Sequence, residues 1–142
     1  MNVQDIKIAI VPCSGIGKSY GTVSRVAAYR VTEDDRPDRT VLVPLALLVT
    51  GDADSRKTLA DNQAITIDGC AMSCATKMVE QCGGKVAREF AVMEAFRRHH
   101  EFKPQGIAEL DEGGEKLADA LAKEVAAEID ILAAHGEGGS VA

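Results

Sequence analysis

Apolar residues fall in short clusters over the first two-thirds of the chain and at helical intervals over the last third. The pattern predicts strands alternating with helices. Ile6-Lys7-Ile8-Ala9-Ile10-Val11-Pro12 reads as a buried strand that runs into a glycine-containing turn at Cys13 to Gly17. Tyr20, Val23, Val26, Ala27 and Val31 then recur at helical spacing, which predicts a helix from about Lys18 to Val31. A polar segment with a proline, Glu33 to Asp38, breaks the pattern. Thr40 to Val43 reads as a second strand stopped by Pro44, and Leu45 to Val49 is too short for periodicity to assign.

Asp52 to Ala60 is expected to be a short helix with an acidic first turn. Ala64-Ile65-Thr66-Ile67-Asp68 is a third strand, and Ala71 to Gln81 a helix closed by Gly83-Gly84. Val86 to Val92 is a weaker fourth strand. A last helix, Glu112 to Ala133, carries Leu117, Leu121, Val125, Ile129 and Leu132 on one face. This alternation implies an α/β fold: a single three-layer domain with a mostly parallel four-stranded sheet in the order 2-1-3-4, Rossmann-like. The domain is expected over residues 1–135, with a mobile tail over 136–142.

Composition narrows the function. At 142 residues the chain can bury a core without disulfides or metal. A formal charge of -6 argues against general nucleic-acid binding and against attraction to an anionic membrane. Aromatic residues are only 4%, which argues against stacking on exposed bases or sugars. The basic run Arg97-Arg98-His99-His100 reads as a solvated helix face. The first residues lack a signal-peptide pattern, and the longest apolar run, Val41 to Val49, is too short to span a bilayer. The expected location is cytoplasmic, where four cysteines read as metal ligands or redox groups.

The strand order brings the chemistry together. In such a sheet ligands gather beyond the carboxyl ends of the strands, where the winding reverses. Cys13 follows the first strand and Cys70 the third, so the two thiols belong to one crevice. Cys70 and Cys74 share a helix face if the first turn begins near Cys70. Gly69 permits a tight bend and the approach of another loop. The positive end of a helix favours negative charge, and thiolate is the form that ligates zinc or attacks an electrophile. Cys13, Cys70 and Cys74 are therefore the candidate zinc ligands. Cys82 is separated from Cys74 by about 12 Å of helix, which speaks against its joining them. Asp68, His99, His100 and His135 are other options for a fourth ligand, or the position is open to water or substrate.

Two anion-binding patterns compete. Pro12-Cys13-Ser14-Gly15-Ile16-Gly17-Lys18-Ser19 is similar to a phosphate-cradling loop, and Ile65 to Asp68 to its partner strand, but Pro12 stands in place of the first glycine. Alternatively, Cys13 opens a loop of the kind used by thiol phosphatases and arsenate reductases. Those enzymes want an arginine near the loop's end, where this chain has Lys18 and Ser19.

Ile65-Thr66-Ile67-Asp68-Gly69-Cys70-Ala71-Met72-Ser73-Cys74-Ala75-Thr76-Lys77 resembles the central motif of the DGC family. Pro12-Cys13-Ser14-Gly15 is similar to that family's opening, and Arg36-Pro37-Asp38 and Pro44 to Gly51 to its middle section. The resemblance implies zinc held by four cysteines, with Cys13, Cys70 and Cys74 matching. The family's further cysteine, at the end of the second strand, is absent: Leu42-Val43-Pro44 stands there. That leaves an open zinc, an unusual fourth ligand, or a thiol site without metal. The expected function is zinc binding through cysteine thiolates at the carboxyl ends of adjacent strands. The alternative is a thiol-dependent redox or oxyanion-handling enzyme with Cys13 as nucleophile and a small anionic or thiol ligand.

Overall fold

Ile8–Pro12 (β1) is buried along its whole length, as a strand flanked on both sides must be. It pairs in parallel with Thr40–Leu42 (β2) and with Ala64–Asp68 (β3), and β3 pairs in parallel with Val86–Ala91 (β4). The sheet order is β2-β1-β3-β4, the order expected from the sequence. The computed structural model describes residues 7–137.

Alternate side chains of β1 and β3 serve different layers. Ile8, Ile10, Ile65 and Ile67, with Phe90, face a large core built with Ser19–Arg30 (α1), Val92–Arg98 (α5) and Glu112–Glu137 (α6). Ala9, Val11 and Ala64 face a smaller core with Leu45–Thr50 (α2), Ala53–Asp61 (α3) and Cys74–Gln81 (α4). The result is one three-layer α/β domain. Leu117, Leu121, Val125 and Ile129 of α6 are fully buried, as their spacing predicts. Among the described residues no helix is long and apolar enough to cross a membrane.

Four local features differ from the sequence reading. The helical coil of α1 does not stop at Val31 but continues through a wide π-type turn, Val31–Asp35. Ion pairs to α6 hold that acidic turn: Arg36 forks onto Asp130 at 2.8 and 2.7 Å, and Lys123 reaches Asp35 at 3.0 Å. The segment left unassigned after Pro44 is helix α2, ended by Gly51 in the left-handed conformation. Helix α5 follows β4 directly; seven residues are too few to show a period, although Val92 and Ala95 are buried. Finally, α6 runs on to Glu137, so only 138–142 of the expected tail remain, and they lie outside the described residues.

Candidate functional site

The carboxyl ends of β1 and β3 carry the two cysteine-bearing loops side by side. The Cys13 N–H donates to the Ile67 carbonyl at 2.9 Å, extending the β1–β3 ladder by one rung. Just beyond, the Gly69 N–H donates to the Cys13 sulfur at 3.1 Å. Ser24, fully buried on α1, donates to the Ile67 carbonyl at 2.8 Å and lies 3.7 Å from the same sulfur. The first thiol is thus held at the crevice by main chain and one hydroxyl.

Glycine makes this approach possible. A Cβ on Gly21, in the first turns of α1, would lie 2.0 Å from the Gly15 carbonyl oxygen. A Cβ on Gly69 would lie 3.0 Å from the backbone of Tyr20 and Gly21. The β1–α1 loop, the start of α1 and the β3–α4 loop therefore meet backbone to backbone. Of the two roles the sequence allowed for Gly69, close approach is the one the packing requires.

Asp68 is committed elsewhere. Its carboxylate accepts from the Ala75 N–H at 2.8 Å, the Thr76 N–H at 3.3 Å and the Thr76 hydroxyl at 2.8 Å. It caps α4 from the end of the preceding strand, which satisfies N–H groups that a helix start leaves unpaired. Thr66, two residues earlier on the same face of β3, pairs with the Thr76 hydroxyl at 2.7 Å. Asp68 with Thr76 thus fixes where α4 begins.

That start corrects the expected helix. It begins at Cys74 and not at Ala71, and Cys70 to Ser73 form a turn. Cys70 and Cys74 consequently do not share a helix face. The Ser73 N–H donates to the Cys70 carbonyl at 3.3 Å, and Ser73 itself is in the left-handed conformation at φ 54°. Cys74 is exposed, whereas Cys13 and Cys70 are partly covered. Cys82 caps the far end of α4, with its sulfur 3.9 Å from that of Met78.

Three thiols suit zinc chemically, because soft thiolates are among its preferred ligands. Among the described residues, however, no group of three or more His, Cys, Asp or Glu side chains is gathered to hold a metal ion. The donor types fit; a preassembled coordination shell is not what the fold presents. His99 bonds Glu124 at 3.1 Å and its neighbour Arg98 pairs with the same carboxylate at 2.5 Å, so these two residues of the basic run are tied to α6, whereas Arg97 pairs with Glu94 on its own helix.

One residue escaped the sequence reading. Arg25, on α1, reaches back to the Cys13 loop and donates to the Ser14 carbonyl at 3.4 Å and hydroxyl at 3.3 Å. The guanidinium missing from the loop's end is supplied from the helix behind it. Helical spacing after Gly17 was the available signal, since Arg25 lies one and two turns beyond Thr22 and Lys18 on nearly the same face.

These features define an α/β protein with cysteines on the loops that follow two adjacent parallel strands. The chain belongs to the DGC domain family, whose model matches residues 9–113. Comparison with the curated proteins and with the solved structures finds no match.

Proposed function

We propose that this is a zinc-binding protein whose ligands are the thiolates of Cys13, Cys70 and Cys74. The supporting observation is the 3.1 Å hydrogen bond from Gly69 to the Cys13 sulfur, which sets the first thiol against the residue preceding Cys70. Cys70 and Cys74 lie on and just after a short turn, which must rearrange for all three sulfurs to meet one ion. A fourth position is then free for water or an exchangeable ligand. Reduced thiols are needed, which fits a cytoplasmic setting.

Metal analysis of protein purified without added zinc tests this. About one zinc per chain is expected, lost in Cys13→Ser and Cys70→Ser and kept in Cys82→Ser. Metal-free protein that fails to take up zinc in titration would overturn it.

A second reading is favoured by one observation, the approach of Arg25 to the Cys13 loop. Here Cys13 is the nucleophile of an oxyanion-handling site, with Arg25 as the anion's partner. Metal-free protein in which iodoacetamide alkylates Cys13 first, with phosphate or arsenate protecting it, would support this reading over zinc.

A further inference from the structure

At the Cys13 loop, with Cys13 and Ser14 in its lining, the structure has a cleft of about 390 Å³ between α1 and α2. Its walls are largely apolar, with Ile16, Tyr29, Leu42, Pro44, Leu45 and Val49 contributing. Ile16, Tyr29 and Val49 are 84%, 41% and 61% exposed, large apolar surfaces left open around one depression. Its volume lies within the range of small-molecule sites, and such sites combine apolar walls with a few placed polar groups.

Among the described residues Arg25 is the one charged side chain in the lining. Its partners are neutral oxygens at 3.3 to 3.5 Å, those of Ser14 and Thr22. Among the described residues no carboxylate lines the cleft. A guanidinium lining an apolar depression, with long bonds to neutral acceptors among the described residues, presents a fork suited to a planar anion.

We infer that this cleft binds a small organic carboxylate with an apolar body, its head group on Arg25 and its hydrocarbon between α1 and α2. Cys13 and Ser14 also line the cleft, and Arg25 is shared with the oxyanion reading, but the inferred contacts use neither a bound metal nor thiol chemistry, so the inference goes beyond the proposed function. Binding is noncovalent: apolar area supplies affinity, and Arg25 selects the charge.

Calorimetric titration of the full chain with octanoate, 1-octanol and acetate tests the inference. Octanoate is expected to bind one per chain, at least tenfold more tightly than either octanol or acetate. Arg25→Gln is expected to abolish the preference over octanol. Ala46→Trp, which fills the cleft from α2, is expected to weaken both octanoate and octanol. The octanoate affinity is expected to be unchanged after EDTA treatment. Octanoate binding by metal-free protein supports the inference even if zinc binding fails. Absence of saturable octanoate binding, an Arg25→Gln variant that keeps the preference, or affinity lost with EDTA would each overturn it.

Discussion

The Gly69 N–H and the Cys13 sulfur, 56 residues apart in sequence, are 3.1 Å apart in the fold. This contact exists because β1 and β3 are parallel neighbours and because glycines at 21 and 69 let their loops and the start of α1 meet backbone to backbone.

Gly21→Ala is expected to destabilise the protein by about 1–3 kcal/mol, the usual range for overpacking. In an unhindered helix the same change stabilises by about 1 kcal/mol, so the sign itself is diagnostic. Urea unfolding reads the difference. Gly69→Ala meets backbone at 3.0 Å and costs less, but it pushes the β3–α4 loop off the start of α1, next to the Gly69 N–H that holds the Cys13 sulfur. Zinc retention is expected to fall more than stability does.

Removing the Asp68 carboxylate leaves the Ala75 and Thr76 donors without their acceptor in a buried place. Asp68→Ala is expected to cost about 3 kcal/mol, given roughly 1–3 kcal/mol per buried donor stranded. Amide exchange at Ala75 and Thr76 should accelerate more than exchange in β1. Uniform acceleration across the domain would contradict a local capping role.

Ser73 occupies a backbone region that costs a non-glycine residue about 1–2 kcal/mol. Ser73→Gly is expected to raise stability by up to about 1 kcal/mol, with some gain offset by the freer unfolded chain. A lower thermal midpoint would show that the serine side chain contributes more than its backbone costs.

Arg36 and Asp130 tie the π-type turn to α6, and their hydrogen bond holds the Asp130 carboxyl below the usual carboxylate range. A lowered folded value means the contribution is present above the unfolded pKa, about 3.9, and lost as pH falls through the folded value. Asp130→Asn is therefore expected to be less stable than the parent at pH 7 and equal to it in strong acid. Asp130 is half exposed, so screening limits the effect to about 1 kcal/mol or less. Denaturation at pH 7 and at progressively lower pH checks both sign and window. A difference that grows toward acid would refute it.

The sheet order and its carboxyl-end crevice were legible because they follow from runs of buried β-branched residues separated by helices. The start of α4 was not. Ala71 and Met72 suit a helix, but the Asp68 carboxylate at the strand end accepts from the Ala75 and Thr76 N–H groups and delays the first turn to Cys74. Helix α5 hid because its two buried residues, Val92 and Ala95, fit the end of a strand as well as a short helix. Arg25 hid because helical spacing puts it over Thr22 and Lys18 but does not show that the loop folds Ser14, eleven residues away, back onto that face.

The meeting of Gly15, Gly21 and Gly69 has a consequence for how this crevice can change over time. Side chains can be trimmed or lengthened one carbon at a time, but main chain cannot. The gap between the two cysteine loops therefore acts as a fixed gauge. Mutation can alter which atoms line it, but any substitution at Gly69 pushes the β3–α4 loop off the start of α1, and any at Gly21 pushes the start of α1 off the Cys13 loop, each in one step. New specificity would have to come from exchanging the ligating residues themselves or from reshaping the neighbouring cleft.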